Sequence, residues 1–218
     1  MLFSSASFVP IVRRMSRPTI LPAYILATLP LVMALLATAV SIGTGDEVVN
    51  FFRQYRQAHP VLTACMQVIT DFGNPLLYLV YGAIFFRARK RGDRHDMRFV
   101  AVYIVVQLLV SFLAVRILKI GFGMPRPGTE GPAIPFSFKG VYNSFPSGHT
   151  TEIVGAVVPL AWRRKALLPT LALGIYMGIV GYSRIYLGMH HITDVFAGLL
   201  LGSVAAWIIH RLADRTPS

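Results

Sequence analysis

Long apolar blocks separated by short, charge-bearing segments organise this chain. Six are legible: Thr19 to Ile42, Val61 to Phe86, Phe99 to Lys119, Ser147 to Trp162, Ala166 to Tyr186 and Ile192 to Ile209. Runs of about 20 apolar residues match the length of helix that crosses a bilayer, so the pattern predicts six membrane helices. The fourth is short. The 14 residues from His149 to Trp162 make about 21 Å of helix against about 30 Å of hydrocarbon, which places its polar start below the bilayer surface unless the membrane thins around it. Between the first two blocks, Asp46 to Gln57 mixes Val48, Val49, Phe51, Phe52 and Tyr55 with Arg53 and Arg56. That mixture predicts a short interfacial helix, serving either lipid access or simple connection.

Composition agrees with a membrane setting. The chain is 55% hydrophobic and 14% charged, where soluble domains carry about a quarter charged residues. The formal net charge is +12, yet nucleic acid is not the expected partner, because the basic residues lie between apolar blocks. Arg13, Arg14 and Arg17 precede the first block, Arg87 to Arg98 separates the second and third, Arg163 to Lys165 the fourth and fifth, and a basic tail follows Ile209. With six crossings all four segments fall on one side, which the positive-inside rule makes cytoplasmic. The predicted architecture is a single all-α membrane domain over residues 1–218, with 1–18 and 210–218 as cytoplasmic ends. The segments 43–60 and 121–146 and the turn at Met189 then face outward. The first block also resembles a signal peptide, with Ala37-Thr38-Ala39 at its end. It exceeds the usual apolar core of about 7–15 residues, so a retained helix is expected. Cys65 is the one cysteine, which rules out an internal disulfide.

Polar residues flanking the outward segments form three clusters, and ionisable groups at membrane depth are costly enough to point to function. In the first, Lys119 and Arg126 stand seven residues apart across a Gly- and Pro-containing stretch. Lys119 reads either as a snorkelling anchor or as one of two cations converging on an anion. In the second, Ser147, Gly148 and His149 open the fourth block. Ser147 suits a helix N-cap, Gly148 permits close backbone approach, and the helix N-terminus attracts phosphate. An ordinary capped helix carrying an interfacial histidine fits the same residues. In the third, Ser183 and Arg184 precede His190, His191 and Asp194. Four residues apart on a helix, His190 and Asp194 share a face. The carboxylate then either orients a nucleophilic imidazole or caps the sixth helix.

Taken together, the clusters supply three cations, a helix N-terminus, two histidines and an orienting carboxylate, which is what metal-independent phosphoryl transfer requires. No Cys/His cluster, HExxH or EF-hand pattern is present, so neither a metal nor another cofactor is expected. Glu152 is a secondary candidate, either hydrogen-bonding in the site, binding a substrate group or facing a polar cavity. His191 is expected to be structural. Lys139, Tyr142 and Asn143 either contact a head group or face solvent. Gly198 and Gly202 form a small-residue pair for close helix packing, and Trp162 and Trp207 suit the membrane interface.

The three clusters resemble the signatures of the type-2 phosphatidic acid phosphatase superfamily, which includes the vanadium haloperoxidases. Lys119 to Pro127 fits KxxxxxxRP, Pro146 to His149 fits PSGH, and Ser183 to Asp194 fits SRxxxxxHxxxD. The resemblance implies a helical bundle acting without Mg²⁺. His190 would become phosphorylated, Asp194 would orient it, and His149 would protonate the leaving oxygen and later help activate water. Lys119, Arg126 and Arg184 would bind phosphate, helped by Ser147 and the Gly148 N–H. The implied activity is a lipid phosphatase of a bacterial inner membrane, facing the periplasm or exterior. Undecaprenyl pyrophosphate, phosphatidylglycerol phosphate and the 1-phosphate of lipid A are the candidate substrates. A lipid phosphotransferase using the same site is the alternative.

Overall fold

A computed structural model describes residues 20–164 and 166–213. Their regular structure is helical throughout: α1 (Ile20–Ser41), α2 (Asp46–Ala58), α3 (Pro60–Arg91), α4 (Arg94–Val106), a π-helical stretch (Gln107–Ala114), α5 (Val115–Phe122), α6 (Gly148–Arg164), α7 (Leu167–Tyr186) and α8 (Ile192–Ala213), with one 3₁₀ turn at Gly140–Tyr142. The expectations for residues 1–18, Arg13, Arg14, Arg17, Lys165 and the tail from 214 lie outside the described residues.

Local chemistry sets the boundaries. The Glu47 carboxylate accepts from the N–H groups of Thr44 (2.8 Å) and Gly45 (2.9 Å), tying down the start of α2. Those bonds hold its carboxyl below the usual glutamate range. The second block extends beyond Phe86 to Arg91, because Arg89, Lys90 and Arg91 favour the negative end of the α3 dipole and Gly92 caps it with a left-handed turn. The third begins earlier than expected, at Arg94, where Asp93 accepts from the N–H groups of His95 (3.0 Å) and Asp96 (3.1 Å). The short helix predicted over Asp46 to Gln57 appears as α2, burying Val48 and Phe52 while Phe51 and Tyr55 stay outward.

Among the described residues, four helices are long and apolar enough to cross a membrane: α1, α3, the continuous rod Arg94–Phe122, and α8. The other two predicted blocks became α6 and α7, of 17 and 20 residues. Neither reads as a lone lipid-facing span, for different reasons. α6 is the central helix, with Ile153 to Trp162 buried without interruption. α7 is diluted by Gly174, Gly178 and Gly181, which lie close against Ala27, Pro30 and Leu31 of α1. Gly198 and Gly202 do the same where α8 crosses α6. A Cβ on Gly198 would sit 2.7 Å from the Ser147 carbonyl oxygen, and one on Gly202 would sit 2.6 Å from that of Thr151.

The bundle has two unlike ends. At one, Arg98 donates to the Leu212 carbonyl (2.8 Å), Arg163 pairs with Asp96, and the Trp162 indole donates to the Ile20 carbonyl (3.0 Å). This joins the start of α1 and α4 to the finish of α6 and α8. Asp93, His95 and Asp96 cluster here with metal-ligand spacing, but Asp93 is engaged as a helix cap and Asp96 as the partner of Arg163. The other end carries Lys119, Gly148, Arg184 and Asp194, each near a helix terminus. α3 passes this level by the ten residues before Thr70, about 15 Å of helix.

Candidate active site

The segment from Gly123 to Ser147 folds back over the helix ends. Gly123 adopts φ +57°, and a Cβ there would meet the Ile134 carbonyl oxygen at 1.7 Å, so only glycine fits this crossing. The Ile134 N–H donates to the Gly123 carbonyl (2.9 Å), that of Ser144 to Met124 (3.1 Å), and that of Arg126 to Val141 (2.8 Å). The Arg126 guanidinium reaches the Gly140 carbonyl (3.0 Å) and that of Met189 (3.3 Å), stitching this segment to the turn that bears His190. Burial lowers its pKa from the ordinary arginine value.

Lys119, one turn from the end of α5, donates to the carbonyls of Asn143 (2.6 Å) and Ser144 (3.2 Å). It is therefore turned inward and does not snorkel. Ser147 caps α6 as expected: its hydroxyl accepts from the Thr150 N–H (3.4 Å) and hydroxyl (2.9 Å). Helix geometry leaves the N–H groups of Gly148 and His149 without intrahelical acceptors. Arg184, 5% exposed, donates to the Thr70 hydroxyl (2.5 Å), while its Nε is buried without a protein partner.

His190 requires a correction. It does not share a helical face with Asp194, because α8 begins only at Ile192 and His190 sits in the turn after α7. The backbone N–H groups of Met189 (3.0 Å) and His190 (3.2 Å) both donate to the Arg184 carbonyl, which fixes that turn. Asp194, in the first turn of α8, accepts from the His191 N–H (2.9 Å) and faces His190 Nδ1 at 3.4 Å. The two readings of this carboxylate therefore hold together: it caps α8 and contacts the imidazole. Burial of His190 lowers its pKa, which favours the neutral ring, while the carboxylate works in the opposite direction.

All the predicted groups gather at this end. His149 lies within electrostatic reach of Arg184, Lys119 and Arg126, and His190 within reach of Lys119 and Arg184. Residues that the motifs do not mark complete the surroundings. The Ser144 hydroxyl donates to the Asp194 carboxylate (2.5 Å), and Thr70 holds Arg184. Asn74 donates to the His149 carbonyl (3.2 Å) and to Glu152 (2.5 Å). Thr70 and Asn74 come from α3, far from the motifs in sequence; their polarity inside an apolar block was the available signal. Asn143 is buried, with its carbonyl on Lys119, whereas Lys139 is exposed. His191 contributes its backbone N–H, in keeping with a structural role.

Fold and site together define a multi-pass helical membrane protein with a cluster of cations and histidines at one end of the bundle. Residues 99–217 match the PAP2 superfamily, and the chain belongs to that family of membrane lipid phosphatases. It is 25% identical to undecaprenyl-diphosphatase BcrC of Bacillus subtilis over 158 residues, covering 71% of this chain and 76% of that protein. With lipid A 1-phosphatase of Rhizobium johnstonii it shares 29% over 157 residues, 63% of this chain and 62% of the relative. The crystal structure of a transmembrane PAP2-type phosphatidylglycerolphosphate phosphatase from Bacillus subtilis has the same fold, with TM-score 0.50 and 24% identity over 85% of this chain and 94% of the other.

Proposed function

We propose that this phosphatase releases phosphate from a membrane lipid phosphomonoester or pyrophosphate in two steps, through a phosphorylated His190. The observation that carries the reading is the convergence of His190, held against Asp194, and His149 within one cationic field formed by Lys119, Arg126 and Arg184. With its Nδ1 proton directed at Asp194, His190 offers Nε2 to phosphorus. The buried Nε of Arg184 and the N–H groups opening α6 supply donors to the phosphoryl oxygens. The Nε2–P bond forms as the P–O bond to the lipid breaks, and His149 gives that oxygen its proton. Water, deprotonated by His149, then cleaves the P–N bond and frees His190. The relatives' names span undecaprenyl diphosphate and lipid A phosphates, and those two classes with phosphatidylglycerol phosphate are the substrates to try first.

In this reading α6 and α7 also cross the bilayer, making six crossings. The end bearing Arg91, Arg94, Arg163 and Arg211 faces the cytoplasm by the positive-inside rule, and the pocket opens to the outer side of a bacterial inner membrane. His190→Ala should abolish phosphate release, by about a thousandfold or more if the nucleophile is lost, while EDTA leaves the wild-type rate unchanged. Label from a phosphorus-32 lipid should be trapped on wild-type protein quenched in alkali and be absent from the variant. Full turnover by His190→Ala sinks the mechanism, and label passed to a second lipid in place of water assigns a phosphotransferase.

A further inference from the structure

One turn along α6 from His149 lies a polar group that the chemistry above leaves unused. Glu152 is half-buried at the outer side of α6, at membrane depth, where a carboxylate is costly unless it serves a purpose. Both of its oxygens accept protein hydrogen bonds, one from the Tyr78 hydroxyl and one from the Asn74 amide (2.5 Å). Its backbone carbonyl accepts from the Gln107 amide (3.0 Å), and the Gln107 side-chain oxygen accepts from the Ser111 hydroxyl. Gln107 and Ser111 belong to the π-helical stretch, where the wider winding turns them toward α6.

These residues border a cavity of about 320 Å³ between α3 and the α4–α5 rod, walled otherwise by Ile104, Leu108 and Phe112. Those three side chains are also exposed on the outer face of the bundle, so the cavity lies beside the lipid-facing surface. Its chemistry is one-sided. The Tyr78 and Ser111 hydroxyl protons and both Asn74 amide protons are spent within the cluster. What remains is mostly acceptors: the free lone pairs of the Glu152 carboxylate and of the Tyr78 and Ser111 oxygens, beside the second amide proton of Gln107. A ligand that donates a hydrogen bond to the carboxylate and carries apolar surface matches this lining.

We propose that this cleft receives the part of the lipid next to its phosphate and selects substrates with a hydroxyl or amide N–H there. Lipid phosphates whose chain is hydrocarbon up to the phosphate ester, undecaprenyl pyrophosphate among them, are disfavoured, which narrows the candidate substrates to phosphatidylglycerol phosphate and lipid A 1-phosphate. The inference rests on the phosphatase reading and deepens it. Glu152 is three residues from His149 on the same helix, about 4.5 Å along the axis, which is the reach of the first few atoms beyond a phosphate at His149. The Asn74 amide, bonded to both the His149 carbonyl and Glu152, ties the cleft to the pocket.

The test compares two synthetic substrates of equal chain length in mixed micelles: a lysophosphatidic acid, with a free hydroxyl beside the phosphate, and an alkyl phosphate without one. Wild-type protein should favour the hydroxyl-bearing lipid by about tenfold in kcat/KM, the value of one good hydrogen bond to a charged acceptor. Glu152→Gln replaces an acceptor with a donor and should bring that ratio to about twofold or less. Ser111→Leu, which fills the cleft from its outer wall, should do the same by raising KM for the hydroxyl lipid. Wild-type protein without a preference, or a ratio preserved in both variants, overturns the cleft assignment while leaving the phosphatase reading intact. Failure of wild-type protein to release phosphate from either lipid and also from undecaprenyl pyrophosphate, phosphatidylglycerol phosphate and lipid A sinks the phosphatase reading itself. If Glu152→Gln loses its thermal transition, the ratio measured for Ser111→Leu decides.

Discussion

Asp194 serves two neighbours with one carboxylate. Its side chain closes the start of α8 through the His191 N–H and also meets His190 and the Ser144 hydroxyl. Orientation of the imidazole therefore depends on a residue outside every recognised motif. Ser144→Ala removes a 2.5 Å bond and should lower kcat by about tenfold, the value of one charge-assisted hydrogen bond, with little change in KM. Asp194→Asn keeps the shape but permits the wrong tautomer, and should cost about a thousandfold or more. Both are read from steady-state phosphate release, with circular dichroism confirming an intact fold. Equal losses in kcat and in thermal stability for Ser144→Ala would reduce its role to packing. The histidines, cations and carboxylate that the fold brings to this end were legible because motif spacing marks them. Ser144, Thr70 and Asn74 were not, because a lone hydroxyl or amide in or near an apolar block marks polarity but names no partner until folding supplies one.

At the scale of elements, the seam between α6 and α8 positions the whole site. The Gly198 Cα lies so close to the Ser147 carbonyl and the Thr150 side chain that a methyl group there would overlap both, at 2.7 and 2.9 Å. Gly198→Ala should destabilise the protein by about 1–3 kcal/mol through overpacking. The same change should lower activity, since the displaced atoms belong to the turn that opens α6. A detergent-solubilised thermal melt and the phosphatase assay together check this; an unchanged melting temperature contradicts the packing argument. The glycine pair was readable in the sequence, and so were the helices, to within a few residues. The helical placement of His190 was misjudged, because the four-residue spacing to Asp194 fits a turn followed by a helix start as well as it fits a helix. The π-helical stretch at Gln107–Ala114 left no trace in the apolar pattern, since its residues remain apolar apart from Gln107 and Ser111.

For the whole molecule, the arginine-rich end with Arg91, Arg94, Arg163 and Arg211 and the end with the histidine site lie opposite each other along one bundle. That polarity yields a topological expectation. In a protein with Cys65 replaced by serine, a cysteine at Thr129 should react with a membrane-impermeant maleimide from outside the cell, and one at Gly92 only after the membrane is opened. Labelling of both from the same side contradicts the six-crossing arrangement. The hydrophobic pattern marked all six long helices and placed the bounds of α6 and α7 to within two residues. Those two fall short of a lone membrane span because α6 is enclosed by protein and α7 is diluted by glycines packed on α1.

The burial of α6 has a mechanical consequence. A helix enclosed by its neighbours from Ile153 to Trp162 has almost no boundary with acyl chains, so it need not match their length, and 17 residues suffice. Tilting and stretching in response to thicker or thinner membranes fall on the peripheral rods α1, α3 and α4–α5. His149 thus rides on a strut insulated from the elasticity of its host membrane, and its registry with the turn that bears His190 is kept by protein contacts alone.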